Sequence, residues 1–236
     1  MIEVKTSGAK GLGVFAIADI PRGTRVIAEA GLLKIDRNKI NANTIVLAFE
    51  SLPAAQKTTY LELHGFACDA FKRATEHDIG MAWQDLPELC CRILSIWQAN
   101  TFGDVFPLAS RINHSCVPNI NFAYNSLLEM ETFNAVRDIA AGEELTIMYI
   151  NGVSRTHTQR QAELDKWGFT CTCPACDTTV PGWQEKEDKR AQLFMHDQKL
   201  AFSTRRKDWD QALKSAQSLA AIQHSEGFLV REISRS

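Results

Sequence analysis

The chain has 236 residues, of which 45% are hydrophobic and 23% charged, with a formal net charge of −2 and a pI near 6.3. This length allows one substantial domain with a small appended unit, and this composition excludes a disordered or fibrous protein. The near-neutral charge gives no electrostatic reason for nucleic-acid binding, and no apolar run is long enough to span a membrane.

Short strands are predicted in the first forty residues, at 2–4, 14–16, 25–28 and 32–35, with a turn at Pro21-Arg22-Gly23. Apolar residues then recur at spacings of three and four up to Trp97, which predicts an amphipathic helix that starts near Asp85. The first part of the chain is therefore interpreted as β-rich, with a helical insertion at about 40–105.

The second half of the chain returns to strands and ends in helices. Strands are predicted at 120–124, 128–133 and 145–147, with a hairpin turn at Asn125-Ser126. A helix is predicted at 155–167, and two more at 185–204 and 209–223, where the sequence contains no proline or glycine. The last two are interpreted as an appended helical pair.

The cysteines and the N-terminus indicate the compartment. The chain has seven cysteines, an odd number, so complete internal disulfide pairing is impossible. Residues 1–5 lack the apolar core of a secretion signal, and we predict an intracellular protein. Cys90 and Cys91 fall in an apolar helical pattern and are interpreted as small buried side chains.

Three motifs carry chemical information and occur in a fixed order. They are Asn-His-Ser-Cys-Val-Pro-Asn at 113–119, Gly-Glu-Glu-Leu-Thr-Ile-Met-Tyr at 142–149, and Cys-Thr-Cys-Pro-Ala-Cys at 171–176. In this order they resemble the motifs of SET-domain protein lysine methyltransferases, especially those related to the SET-and-MYND group, although the Cys/His-rich MYND zinc module is missing. The resemblance covers about residues 1–177.

The resemblance implies an α+β fold, with small sheets around a knot-like crossing of the chain. Residues 1–150 would form the SET domain, with the helical insertion at about 40–105 inside it. Residues 151–177 would form a zinc-binding post-SET segment, and residues 178–236 a C-terminal helical extension.

A glycine-rich turn near the N-terminus has two interpretations. Gly-Leu-Gly-Val-Phe-Ala at 11–16 matches a dinucleotide-binding fingerprint, but that fingerprint needs a helix directly after the glycines, and Pro21 and Gly23 leave no room for one. A nicotinamide oxidoreductase is therefore the weaker reading. By resemblance, the turn contacts S-adenosylmethionine through Lys10, Gly11, Leu12 and Gly13.

The same resemblance assigns further residues to the cofactor, the substrate and the reaction. Tyr149 would be catalytic, with a hydroxyl that orients the lysine amine and the transferable methyl group, and it would also contact the cofactor. Asn113, His114 and Phe169 would bind the cofactor too, whereas Asn119 is interpreted as structural. The lysine channel would be lined by Asn100, Phe102 and Trp167. Glu143 and Glu144, adjacent on a strand and facing opposite ways, are predicted to be turn and surface residues.

The cysteine triplet indicates a metal site. Structural zinc takes four ligands in a tetrahedron, and Cys171, Cys173 and Cys176 supply only three thiolates, so a fourth ligand must come from elsewhere. By resemblance that ligand is Cys116. The alternative is three thiols that bind no metal.

The leading hypothesis is an S-adenosylmethionine-dependent methyltransferase that modifies lysine side chains of a histone or another protein, in the nucleus, the cytoplasm or both. A link to chromatin follows if the substrate is a histone. No direct nucleic-acid or membrane partner is expected. The alternative is a catalytically weak SET module that acts as a scaffold for protein interactions.

Overall fold

The computed structural model describes residues 1–225 and divides into two compact units. Residues 226–236 of the predicted C-terminal extension lie outside the described residues. Unit 1 consists of Met1–Asn113, Asn119–Ile147 and Asp165–Phe169, and the described part of unit 2 consists of His114–Pro118, Met148–Leu164 and 170–225.

Within residues 1–225, the strands are β1 Ile2–Thr6, β2 Leu12–Ala16, β3 Arg25–Glu29, β4 Asn113–His114, β5 Ile120–Asn125, β6 Met130–Ala135 and β7 Glu144–Ile147. They form two small sheets, one with the order β1-β2-β7-β4 and the other β3-β6-β5. The pairs β1/β2, β2/β7, β3/β6 and β5/β6 are antiparallel. β7, from late in the chain, therefore lies beside β2 from its beginning.

The predicted strands at 2–4, 14–16, 25–28, 120–124 and 145–147 lie within strands of the structure, and the other two differ from it. The segment 32–35 is not a strand, because only Leu33 forms a bridge, to Val105. β6 begins at Met130 rather than 128, since the Asn125 carboxamide oxygen accepts the N–H groups of Leu127 and Leu128 and closes a turn there. This turn confirms the predicted hairpin.

Helices α1 to α4 lie between β3 and β4 in the chain. An apolar cluster joins α1, α2 and α4, with Phe49 and Tyr60 in ring contact and the Tyr60 hydroxyl donating to the Ile93 carbonyl at 2.9 Å. α4 begins at Glu88, three positions after the predicted start near Asp85. The helices are α1 Ala42–Glu50, α2 Ala54–Leu61, α3 Asp69–Ile79 and α4 Glu88–Asn100.

The described part of unit 2 contains helices α5 His157–Leu164, α6 Trp183–Arg205 and α7 Trp209–Ser225. They confirm the three predicted helical segments with small shifts at the ends, and a 3₁₀ turn at Asp165–Trp167 follows α5. Strands and helices together confirm the α+β class. Within residues 1–225, each helix is too short or too polar to cross a bilayer.

Candidate active site and metal centre

The glycine-rich turn of unit 1 presents its backbone to open space. Gly11 has a φ of 80°, which glycine adopts readily, and the Ser7 N–H donates to its carbonyl at 2.7 Å. A Cβ atom at Gly11 would meet nothing within 4 Å. The turn runs into strand β2 and not into a helix, so the structure excludes the dinucleotide-binding reading.

Glu144, at the start of β7, is the centre of a polar cluster beside this turn. Its carboxylate accepts hydrogen bonds from the Ser7 hydroxyl at 2.7 Å, the Lys10 ammonium at 2.9 Å and the Asn113 amide at 2.7 Å. A Cβ atom at Gly13 would lie 2.5 Å from the same carboxylate, so only glycine allows this approach. The prediction of Glu144 as a surface residue was wrong, because three partners from distant segments hold its side chain.

These contacts give a pH-dependent stability. Burial acts to raise the pKa of the Glu144 carboxyl, but hydrogen bonds from its three partners outweigh it and keep the pKa below its usual value. A carboxylate with a depressed folded-state pKa stabilises the fold above its unfolded pKa of about 4.3, and this stability is lost as the pH falls through the folded value.

We expect Glu144→Gln to lower the free energy of unfolding at pH 7 by about 1–2 kcal/mol, because a neutral amide accepts hydrogen bonds from these donors less strongly. The loss should shrink as the pH falls below the unfolded pKa of about 4.3 towards the lowered folded pKa, because the contribution of the carboxylate is lost over that range. Urea unfolding at pH 7 and pH 3.5 measures both values. Glu62→Gln, at an exposed position, is the control. A pH-independent difference would contradict the prediction.

The two asparagines of the first motif hold the backbone of unit 1. The Asn113 amide donates to the Leu12 carbonyl at 3.0 Å as well as to Glu144, so it ties the glycine turn to β7. Asn119, 1% exposed, donates to Glu143 and to the Glu144 carbonyl and accepts the Thr146 N–H. This is the structural role expected of Asn119. Glu143 is half-buried and held between Asn119 and Arg137, so its side chain is not a free surface group.

In unit 2, the His114 ring joins Tyr149 to Cys116. The backbone N–H of Tyr149 donates to His114 Nδ1 at 3.0 Å, and His114 Nε2 lies 3.3 Å from Cys116 Sγ. Because Nδ1 accepts, a neutral imidazole carries its proton on Nε2, directed at the sulfur. The His114 and Tyr149 rings are 5.3 Å apart between centroids. The half-buried Tyr149 is therefore anchored by its backbone and its ring.

Four cysteines of unit 2 form a group suited to a metal ion. The sulfur atoms of Cys116, Cys171, Cys173 and Cys176 all lie within 4.8 Å of one another, with Cys116 and Cys176 at 3.6 Å. Tetrahedral zinc with Zn–S bonds of about 2.3 Å needs sulfur atoms about 3.8 Å apart. The structure thus brings Cys116 to the triplet, and the soft four-sulfur donor set could hold zinc.

The electrostatics of the group also fit a cation. Hydrogen bonds from the other three thiols, that of Cys116 foremost, hold the pKa of Cys173 well below its usual value. The same contacts with the other thiols, Cys171 foremost, raise the pKa of Cys116. The four sulfurs compete for protons, and a metal ion would allow all four to be thiolates. Gln161 of α5 fixes the loop by two hydrogen bonds with the Cys171 backbone, both 3.2 Å.

The predicted channel residues of unit 1 have two different environments. Phe102 lies in an aromatic cluster, with its ring centroid 5.0 Å from that of Phe122 and 6.1 Å from that of Phe133. The Asn100 amide, on the last residue of helix α4, is buried and donates to the carbonyls of His64 and Ile96. Phe102 thus contributes a rigid apolar surface, and Asn100 supports the segment that precedes it.

Trp167 and Phe169 are both half-buried and flank Gly168. Gly168 has a φ of 73°, and a Cβ atom there would lie 2.4 Å from the Phe66 ring. Phe66, in the loop after α2, therefore packs directly on this segment. Sequence reasoning missed Phe66, since nothing in its local sequence distinguishes it, and it missed Gln161 for the same reason.

Comparison with known proteins gives a family match. Residues 11–150 match the family model described as SET domain. This range includes the first two motifs, the helical insertion and Tyr149, and it covers more than half of the chain.

Individual relatives extend the comparison. The chain is 33% identical over 194 residues to histone-lysine N-methyltransferase set5 of Schizosaccharomyces pombe, an alignment that covers 81% of this chain and 56% of that protein. It is 32% identical over 117 residues to histone-lysine N-methyltransferase SMYD3 of Mus musculus, covering 50% and 24% of the two chains. Among solved structures, Rubisco LSMT bound to sinefungin and monomethyllysine is 16% identical, with a TM-score of 0.49, covering 80% and 58%. The chain thus spans little more than half of the S. pombe relative.

Proposed function

The chain belongs to the SET domain family, and on that premise we propose that it is a protein-lysine N-methyltransferase that uses S-adenosylmethionine. The observation that carries the proposal is the family match over residues 11–150, which ends just after Tyr149. Two relatives that are named histone-lysine N-methyltransferases support it.

We propose that the cofactor contacts the glycine turn, residues of the first two motifs and Phe169, which precedes the third. The open backbone at Gly11 and the buried, oriented His114 support these assignments. S-adenosylmethionine supplies the methyl group when bound. The proposed contact residues are Lys10, Gly11, Leu12, Gly13, Asn113, His114, Tyr149 and Phe169.

Lysine must lose its proton before it can act as a nucleophile. A free lysine has a pKa near 10.4, so deprotonation at pH 7 costs roughly 4.6 kcal/mol. An apolar channel lowers this cost because it disfavours the ammonium form, and no dedicated base is then required. We propose that Asn100, Phe102 and Trp167 line such a channel and that the Tyr149 hydroxyl orients the amine. The anchoring of Tyr149 by His114 supports this role.

The proposed substrate is a lysine-containing protein, a histone or another protein, and the names of the relatives support residence in the nucleus, the cytoplasm or both. We propose that residues 1–150 form the methyltransferase domain. Residues 151–177 would then be its zinc-binding segment, with residues from 178 onward forming the helical extension.

Two measurements in sequence test the proposed function. Isothermal calorimetry should detect S-adenosylmethionine binding by the whole chain, and NAD should give no heat. Labelled S-adenosylmethionine should then transfer its methyl group to histones or to proteins on an array. Cofactor binding without transfer to any protein would favour the scaffold reading, and binding of NAD alone would overturn the proposal.

A further inference from the structure

Arg160 of helix α5 is a fully buried arginine next to the four cysteines. Its side chain has 0% exposure, and Nη2 lies 3.8 Å from Cys176 Sγ. Nη2 also donates to the Ala175 carbonyl at 3.0 Å, and Nη1 donates to the Arg155 carbonyl at 2.6 Å. The charge of Arg160 is thus placed against the loop that carries three of the cysteines.

A buried guanidinium costs free energy unless negative charge lies close to it. Glu187 of α6 lies 3.5 Å from Arg160 Nη1, but it also accepts the His157 N–H. Zinc bound by four thiolates leaves a net negative charge, because the ion neutralises only two of them. A second guanidinium, that of Arg190 in α6, is 3% exposed and is repelled by Arg160, so it adds to the positive charge buried here. Glu187 supplies one negative charge, and the thiolates of a zinc site would supply more.

The Ala175 carbonyl shows that α5 and α6 hold the same turn. Ala175 lies between Cys173 and Cys176, and its carbonyl accepts Arg160 Nη2 at 3.0 Å and Trp183 Nε1 at 3.1 Å. One donor comes from α5 and the other from the start of α6. Both donors fix the backbone between two of the sulfur ligands, as hydrogen bonds around a metal site fix its ligands.

We propose that Arg160 is a positioning residue of the zinc site, which offsets the charge of the thiolates and, together with Trp183 of α6, holds the turn that carries Cys173 and Cys176. All of these contacts lie beyond residue 150, outside the matched family range. The inference rests on zinc binding by the four cysteines and does not depend on methyl transfer.

The test measures the rate at which zinc leaves the purified zinc-bound full-length protein for a colorimetric chelator, without methyl donor or substrate. Arg160→Met should accelerate zinc release by about 10–100-fold, the usual effect of losing a hydrogen-bond partner around a metal site. Arg160→Lys keeps the charge but loses the planar set of guanidinium donors, and it should accelerate zinc release less than Arg160→Met does. Arg205→Met, an exposed arginine on α6, should release zinc at the unmodified rate.

Trp183→Phe is the second variant, and it removes only the N–H donor while it keeps an aromatic ring beside His157. It should accelerate release several-fold and retain the absorption spectrum of a cobalt tetrathiolate after metal exchange. The inference is overturned if a folded Arg160→Met protein releases zinc at the unmodified rate. If that variant does not fold, an unchanged rate in Trp183→Phe overturns it, as does a purified protein that carries no zinc. Methyl transfer, measured separately, distinguishes failure of this inference from failure of the proposed function.

Discussion

Tyr149→Phe is expected to lower kcat for lysine methylation by about 10²–10³-fold, because it removes a hydroxyl that acts on the reacting groups in the transition state. The affinity for S-adenosylmethionine should change little. The Tyr149 backbone N–H still donates to His114, and the phenylalanine ring can occupy the same position beside the imidazole. Steady-state kinetics with a verified peptide substrate and calorimetry with the cofactor measure the two quantities.

Tyr124→Phe is the matched control for this substitution. Tyr124 lies on β5 and is 49% exposed, so loss of its hydroxyl should leave kcat unchanged. An unchanged kcat in Tyr149→Phe would remove this residue from the proposed catalytic role, whereas a large loss of cofactor affinity would show that the hydroxyl acts in binding.

Cys173→Ser is expected to abolish zinc binding and to lower the melting temperature on the order of 10 °C. Three thiolates bind zinc much more weakly than four, and the energy of a structural zinc site is part of the folding energy. The loss of stability should be large in unit 2, where Cys116 donates its backbone N–H to Cys173 Sγ at 3.4 Å. Zinc content by mass spectrometry and thermal unfolding by circular dichroism measure the effect.

Cys68→Ser provides the comparison, since Cys68 is half-buried and stands outside the group of four. It should keep its zinc and melt within a few degrees of the unmodified protein. Equal zinc content in Cys173→Ser and the unmodified protein would mean that these cysteines do not form the metal site.

The order of the motifs was enough to predict the α+β class and the family, because each motif combines several residue types at fixed spacing. Local patterns also predicted α4 to α7, since periodic apolar spacing such as that before Trp97 depends on one face of one element. Helices α1 to α3 were predicted only as part of one helical insertion, without their bounds. The strand predicted at 32–35 was wrong because a strand, unlike a helix, also needs a partner strand to pair with. Its apolar residues pack and form one bridge at Leu33, but no neighbouring strand continues the pairing.

The polar cluster could not be predicted from local sequence, because its members are far apart in the chain. Glu144 and Lys10 are separated by 134 positions, and the sequence around either residue does not indicate that the two are in contact. The same holds for Phe66 against Gly168 and for Arg160 against the Ala175 carbonyl. Such contacts become visible only when the strands and helices are placed in space.

Cys116 and Cys173 are separated by 57 positions, so a metal ion that joins them is a cross-link between remote parts of the chain. By the relation used for disulfides, closing a loop of this length removes unfolded-state entropy equivalent to about 4 kcal/mol. Strands β5, β6 and β7 all lie inside that loop, so the ion would limit the unfolded conformations of segments that never touch it. Because closure entropy grows only with the logarithm of length, an insertion at the 93% exposed Leu127 would raise this contribution very little.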